Sequence, residues 1–586
     1  MASGTSSVVD KARAWIAQDP DPETRAELEA LVQAGDQAEL AERMGAPLEF
    51  GTAGLRGVVG AGLSRMNRAV VIRATRGLAD YLLARHPDAR TLPVVVGFDG
   101  RLTSRTFADD TIGVLVAAGI PVRYFDEPVP TPLVAYAARQ LSASAAVVIT
   151  ASHNPPEYNG YKVYAANAAQ IVPPVDTEIS ERIEAVSSAR DVPLEAGGLS
   201  GKLARAERVP DSFFDRYLAE VDAVRPRVER DSRIGIVYTP MHGVGWRFVK
   251  EAFARAGYAN LHVVDAQAEP DGHFPTVNFP NPEEPGALDL ATALASEKKA
   301  DLILANDPDA DRLAVCIPSA TGRYRQLTGS RSGCSWPISC STRVRAPRPM
   351  VGSSICRARC SAPSQQPHGA RFEQTLTGFK WIWNAALDLE SQEGVRFAFG
   401  YEEALGYSVG RVVRDKDGVS AALLLADLAA HEQTQGVASV NGSSASIGST
   451  GSGSACKRAS RVRGAGRREI EQAMQRLLAA PPPSSVAEIG EAHGLPGQGE
   501  SRTALATEHD PRRAGARGQR EGARATERHR ASSRSTSTLP FRSARASSSA
   551  SGKKPRPPKR GGSPPRLPRR SVSEEPERKT EEKCAS

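Results

Sequence analysis

Residues 302–312 read Leu-Ile-Leu-Ala-Asn-Asp-Pro-Asp-Ala-Asp-Arg. Four apolar residues in succession suit a buried strand, and the switch to Asn306-Asp307-Pro308 ends it abruptly. The same pattern recurs upstream. Val94–Phe98 runs into Asp99-Gly100-Arg101, Ala145–Ile149 into Thr150 and a polar loop, and 234–238 into Thr239-Pro240-Met241-His242-Gly243. A similar apolar run at 395–399 precedes Gly400. Helical patterns, such as that over 212–221, lie between the runs. Near-continuous apolar strands alternating with helices predict parallel sheets covered on both faces. The class is therefore α/β, with polar sites expected beyond the C-terminal ends of the strands. The Pro/Gly-rich stretch 192–201 predicts a first linker, and Thr321-Gly322 a second joint.

The 586 residues suffice for three or four domains of ordinary size. Apolar residues make up 40% of the chain, low for a protein packed throughout, and the deficit is local. Residues 1–327 alternate apolar runs with polar turns, whereas beyond about residue 500 the chain is rich in Arg, Ser, Pro and Glu. Such a tail cannot bury enough apolar surface to offset its ordering entropy and is expected to be disordered. It carries much of the formal charge of +8. Its basic residues lack interleaved aromatics and any reader module, so nucleic acid is not an expected partner. No apolar run reaches the length of about 18 residues that a membrane helix needs. The N-terminal segment, with Asp10, Lys11 and Arg13 close together, lacks the apolar core of a secretory signal, so a cytoplasmic location is expected. Six of the seven cysteines fall outside the regularly patterned part, with spacing that fits neither a zinc site nor a disulfide framework.

Asp307, Asp309 and Asp311 stand at alternate positions in a strand-end loop, where three carboxylates converge on one hard cation. Mg²⁺ takes such oxygen ligands. A solvated acidic turn is the plainer alternative. Thr150-Ala151-Ser152-His153-Asn154-Pro155 also ends a strand. Ser152 there would meet backbone N–H groups and the N-terminus of a following helix, both suited to phosphate. No G-x-S-x-G elbow surrounds it, which argues against acyl transfer. The residues alone leave it a nucleophile or a loop serine. Lys162 is a proton carrier if its pKa is shifted and a surface lysine otherwise. Phe50-Gly51-Thr52-Ala53-Gly54-Leu55-Arg56-Gly57 is a glycine loop in which Arg56 can grip an anion through two parallel hydrogen bonds. Gly400-Tyr401-Glu402-Glu403-Ala404-Leu405-Gly406-Tyr407 sets paired carboxylates at a strand end, suited to vicinal sugar hydroxyls or to a generic charged turn.

Taken together and in this order, these loops resemble those of the α-D-phosphohexomutases. Thr150–Pro155 is similar to that family's phosphoserine loop, Asp307–Arg312 to its Mg²⁺ loop, and Gly400–Tyr407 to its sugar-recognition loop. Stretches 239–245, 377–380 and 415–419, with 15–28 and 50–57, resemble its phosphoglucomutase/phosphopentomutase branch. The resemblance covers about 10–327 and 368–433. It implies three successive α/β domains with mixed or parallel sheets around a central cleft: 1–205, 206–322 and 323–433. A degraded fourth domain over 434–500 and a basic tail over 501–586 would follow. It also implies the chemistry. Ser152 would carry phosphate and, with Asp307, Asp309 and Asp311, hold Mg²⁺. Lys162 would be the acid/base, while His153, Arg56 and Arg312 would stabilise phosphoryl charge. Glu402 and Glu403 would hold sugar hydroxyls, and Thr377, Gly378 and Lys380 would belong to the substrate site. The partner would be a phosphosugar whose 1- and 6-phosphates interconvert through a bisphosphate, with glucose 1,6-bisphosphate as activator. Glucose, mannose and pentose phosphates stay open, as does the oligomeric state.

The sequence also departs from the family. A loop reading roughly R-x-S-G-T-E-P-K, which would anchor the phosphate that is not being transferred, occurs nowhere in the 586 residues. The stretch 329–367 is rich in Ser, Arg, Cys and Pro where an amphipathic helix is expected, and 436–463 is rich in Gly, Ser and Ala. Both are compatible with GC-rich codons read in the wrong frame. With GC-rich codons chosen to suit and the frame shifted, 331–341 can read V-G-V-L-L-A-D-F-L-L, an apolar helix, and 439–450 can read G-E-R-L-E-R-L-D-R-L-Y, with leucines at helical spacing. Residues 468–478 recover a helical pattern. Two outcomes follow: an active mutase misreported by these segments, or a phosphosugar-binding relative poor at turnover.

Overall fold

The computed structural model describes residues 7–49, 54–226, 228–329, 348–354 and 370–434. Among them the strands form three sheets. The first contains β1 (Leu55–Val58), β2 (Val94–Phe98), β3 (Val122–Tyr124), β4 (Ala145–Ile149), β5 (Tyr158–Tyr164) and β6 (Ala206–Arg208), in the order β1-β5-β4-β2-β3-β6. The second contains β7 (Ile236–Thr239), β8 (Leu261–Val263), β9 (Leu302–Ala305), β10 (Ala314–Pro318) and β11 (Tyr324–Gln326), ordered β11-β10-β9-β7-β8. The third contains β12 (Pro349–Ser354), β13 (Arg371–Thr375), β14 (Arg396–Tyr401) and β15 (Tyr407–Val409), ordered β13-β12-β14-β15.

Strands β2, β4, β7 and β9 are buried at every residue, which is why they read as unbroken apolar runs. The sheets are mixed, within what the resemblance implied: β5, β10 and β15 each run antiparallel to the strand before them. The cause is connection length. The links 150–157 and 306–313 are too short to hold a crossover helix, so the chain must turn back beside the strand it has just left. The loops singled out for chemistry are therefore tight reversals, and the serine loop is followed by β5 rather than by the expected helix.

The helix Arg68–Arg85 covers one face of the first sheet with Val71, Leu78 and Leu82, and Asn67 Oδ1 caps it by accepting from the Val70 N–H. Helix Gly418–Thr434 is buried along nearly its whole length. Asp417 caps it, accepting from the Val419 and Ser420 N–H groups at 3.1 Å. No described helix is long and apolar enough to cross a membrane.

Both domain joints move. β6 pairs in parallel with β3, so the first sheet runs on to Arg208 rather than ending at 205. The expected linker 192–201 is docked, with Glu195 N–H on the Gly113 carbonyl and Leu199 N–H on Asp109 Oδ1. Thr321-Gly322 forms the turn of the β10–β11 hairpin, so a joint at 322 would split a paired unit. The third correction concerns 329–367. Its residues Pro349–Ser354 form β12, fully buried between β13 and β14, so this part has an ordinary strand sequence in register with the fold. Residues 50–53, 330–347, 355–369 and everything from 435 on, including 436–463, the helical pattern 468–478 and the tail, lie outside the described residues.

Candidate phosphoryl-transfer site

The loop after β4 and the loop after β9 face each other. Ser152, with φ 55°, is held in the left-handed region, and its N–H is donated to Thr150 Oγ1 at 2.8 Å. That turn aims the side chain across the interface: Ser152 Oγ donates to Asp307 Oδ2 at 2.8 Å and lies 3.2 Å from His153 Nδ1. Asp307, Asp309 and Asp311 are all fully buried. A carboxylate oxygen from each lies within 4.8 Å of the others.

Buried carboxylates need compensation. Lys162, from antiparallel β5, donates to Asp309 Oδ2 at 2.7 Å and to Asp311 Oδ2 at 2.9 Å. Lys416 reaches the same Asp311 oxygen at 3.2 Å. Thr131 Oγ1 donates to Asp309 Oδ2 at 2.7 Å. The Arg312 N–H is donated to Asp307 Oδ1 at 3.0 Å.

The charge states follow from this packing. Burial pushes the Asp307 carboxyl well above its ordinary range, and Asp309 and Asp311 push it the same way. Burial would also raise Asp311, but Lys162, Lys416 and Arg312 outweigh it and hold that carboxyl well below the usual range. For Lys162 burial works toward the neutral amine, yet Asp309 and Asp311 hold the ammonium above its ordinary pKa. Burial, helped by Arg312 and Arg56, lowers His153 to about 2, so the ring is neutral.

Arg56 lies in β1, and its Nη1 donates to Asn154 Oδ1 at 3.4 Å. Among the described residues, Arg56 Nε and Arg312 Nε are buried donors without a hydrogen-bond partner, a disposition that suits an incoming anion. The glutamate pair is unequal. Glu402 is buried with Oε2 unpartnered, and burial raises its carboxyl, whereas Glu403 Oε2 accepts from Ser354 Oγ at 2.5 Å. Thr377, Gly378 and Lys380 sit where β13 turns into the helix Phe379–Glu393. This is the C-terminal edge of the third sheet, shared with the glutamates because β13, β12 and β14 are parallel.

A divalent cation fits the aspartates. Asp309 Oδ1 and Asp311 Oδ1 are buried oxygens without a hydrogen-bond partner, and the three carboxylates are hard oxygen donors of the kind Mg²⁺ takes.

Three residues of this site escaped the sequence reading. Lys416 was signalled only by its place in Asp415-Lys416-Asp417, Arg101 only by the Asp-Gly-Arg at the end of β2, and Thr131 by nothing local.

A serine opposed to a buried acidic triad, with cations converging on it, is an arrangement suited to phosphoryl transfer. Residues 47–190, 211–320 and 360–442 match, in turn, domains I, II and III of the phosphoglucomutase/phosphomannomutase family, each described as alpha/beta/alpha. The phosphoribomutase of Saccharomyces cerevisiae is 40% identical over 448 residues, covering 72% of this chain and 71% of its own. The glucose 1,6-bisphosphate synthase of Homo sapiens is 35% identical over 441 residues, covering 72% and 70%. A solved phosphoglucomutase/phosphomannomutase family protein from Burkholderia thailandensis shares the fold, with a TM-score of 0.52 at 21% identity, over 65% of this chain and 76% of that one. The chain belongs to the α-D-phosphohexomutase family, phosphosugar mutases of the isomerase class.

Proposed function

We propose that this chain moves a phosphoryl group between the 1-hydroxyl and the terminal hydroxyl of one aldose phosphate, with Ser152 as the carrier and glucose 1-phosphate/glucose 6-phosphate as the pair. The observation that carries the reading is Ser152 Oγ, pinned 2.8 Å from Asp307 in a triad whose other two members keep an unpartnered oxygen. Phosphate on Ser152 would bring its own oxygens to that triad. Mg²⁺ held by Asp307, Asp309 and Asp311 supplies neutralisation of the charge on the moving group.

The remaining work falls to protein side chains. In one half-reaction the bond from phosphorus to Ser152 Oγ breaks as the bond to the sugar hydroxyl oxygen forms, and the proton of that hydroxyl ends on Ser152 Oγ. In the other, the bond from phosphorus to a sugar oxygen breaks as the bond to Ser152 Oγ forms again, and the serine proton ends on that sugar oxygen. Lys162, kept charged by two carboxylates, would serve as the relay, giving its proton to the leaving oxygen and regaining one from the attacking hydroxyl. Arg56 and Arg312 offer unpartnered donors to phosphoryl oxygens, and neutral His153 hydrogen-bonds at Ser152. Glu402, with its free buried oxygen, would orient sugar hydroxyls, and Glu403, Thr377, Gly378 and Lys380 complete that edge. Glucose 1,6-bisphosphate is the proposed activator, because it can load Ser152 from either end. A second reading, ribose 1-phosphate/ribose 5-phosphate, is favoured by the similarity to a phosphoribomutase.

The test is direct. The chain is incubated with Mg²⁺ and glucose 1,6-bisphosphate labelled in its phosphates, and the label is mapped by mass spectrometry. Label on Ser152, absent from Ser152→Ala, is expected. A chain that takes up no label would refute the proposal. Phosphorus NMR on glucose 1-phosphate and ribose 1-phosphate, run side by side, separates the two substrate readings.

A further inference from the structure

We infer that Arg101 is a positioning residue that holds the serine loop in its working shape. Its guanidinium collects four main-chain carbonyls, three of that loop and one at the start of β5. Nη2 donates to the carbonyls of Ser152 at 2.8 Å and Asn154 at 2.5 Å, while Nη1 donates to those of Pro155 at 2.7 Å and Tyr158 at 2.9 Å. Ser152, Asn154 and Pro155 lie in the tight reversal and Tyr158 opens β5; the Pro155 carbonyl also accepts from the Tyr158 N–H at 3.1 Å.

The cation is itself fixed. Its side chain is 1% exposed, and Nε lies 3.3 Å from Asp99 Oδ2 at the end of β2. Asp99 Oδ1 accepts from the Arg101 N–H at 3.0 Å and from Ser104 Oγ at 2.6 Å. The guanidinium also stands over the ring of Phe274, 5.2 Å from its centroid, so it contacts the second domain as well.

The placement matters because Ser152 sits at φ 55°, a conformation costly for a residue with a side chain. The surrounding contacts must impose it, and Arg101 grips the carbonyl of that very residue. Lysine cannot substitute. A single ammonium offers three donors from one point, whereas this site uses a planar fork reaching four acceptors.

The inference rests on Ser152 being the phosphoryl carrier, so the experiment reads the loop and the chemistry separately. Amide hydrogen exchange over 152–158 is measured on the full chain and on Arg101→Lys, together with the single-turnover transfer of label from glucose 1,6-bisphosphate and the Mg²⁺ affinity by calorimetry. Faster exchange confined to that loop is expected, with transfer slowed about 10²-fold, the scale of a 1 Å misplacement. Mg²⁺ affinity should change less than about threefold, because the aspartates are untouched. In Arg101→Ala, added guanidinium should restore part of the transfer rate. Unchanged loop exchange, or transfer within a factor of about two of the parent in Arg101→Lys, overturns the inference. If the parent takes no label at all, the carrier reading fails, and the exchange data alone decide whether Arg101 shapes the loop. If either variant does not fold, exchange in Asp99→Asn, which loosens the anchor of Arg101, gives the same test.

Discussion

Gly243→Ala would strike the metal loop from behind. A methyl group built on Gly243 falls 2.4 Å from Pro308 Cα and 2.5 Å from the Pro308 carbonyl oxygen, distances that real side chains do not show. The obstacle is backbone on both counts, so no rotamer relieves it. Pro308 stands between Asp307 and Asp309, and the Val244 N–H is donated to its carbonyl at 2.9 Å. Reaching even a 3.0 Å contact requires the loop to retreat by about 0.6 Å, enough to separate two carboxylates that must share one cation. Overpacking of this kind costs about 1–3 kcal/mol. Scaled from the loss of about 10²-fold per ångström of misplacement, phosphoryl transfer should fall roughly tenfold. Denaturant melts give the first quantity, calorimetric Mg²⁺ titration shows whether the triad has opened, and labelled transfer gives the rate. A variant with parental stability and parental Mg²⁺ affinity would refute the reasoning, since the clash leaves the loop nowhere else to go.

Other outcomes follow from the same geometry. Lys162→Met leaves Asp309 without its ammonium and Asp311 with only Lys416 and the more distant Arg312, so denaturant melts should show a loss of about 3 kcal/mol, and label transfer should drop by about 10² or more. Asp427→Ala takes two of the three carboxylate hydrogen bonds from the buried Arg225 guanidinium, leaving it the half-exposed Asp222, and removes the acceptor of the Tyr258 hydroxyl. A comparable loss of about 3 kcal/mol is expected, and an unchanged melting midpoint would contradict it. Burial holds the His242 ring below its ordinary pKa. The unfolded chain therefore binds a proton below about pH 6.5 that the native chain does not, and this share of stability, present above that pH, is lost as the pH falls. Melts at pH 7.5 and 5.5 should show a smaller acid loss for His242→Gln than for the parent. Finally, the 586-residue chain as written should load Ser152 yet turn over sugar 1-phosphate weakly, because no R-x-S-G-T loop is present to hold the turning bisphosphate. Steady-state rates close to those of an intact relative would contradict that.

Where the sequence was legible, the reason is burial on both faces. β2, β4 and β9 are lined by apolar neighbours above and below, so each run begins and ends within the chain where its strand does. The triad was legible because alternate carboxylates on a tight reversal have few other uses. β5 was not. Its sequence Tyr-Asn-Gly-Tyr-Lys-Val-Tyr carries polar groups that are buried and satisfied by distant partners: Lys162 by the triad and the Tyr164 hydroxyl by Asp415 at 2.6 Å. No local period encodes such pairing. β12 was misjudged for a different reason. Six buried residues flanked by unusual composition were read with their flanks, although the alternation of neighbours on the sheet, not composition, fixes a strand. Lys416 and Thr131 belong to the site through tertiary contact alone.

The carboxylates of the second sheet receive Lys162 from the first and Lys416 from the segment following the third, and the Ser152 hydroxyl donates to them. Each of these buried charges is compensated by a partner from another sheet. Recombination that exchanged one domain for a distant cousin's would deliver an unmatched charge to the centre of the molecule. The smallest portable piece of this architecture is therefore the whole trio, which must be inherited together and must drift in step.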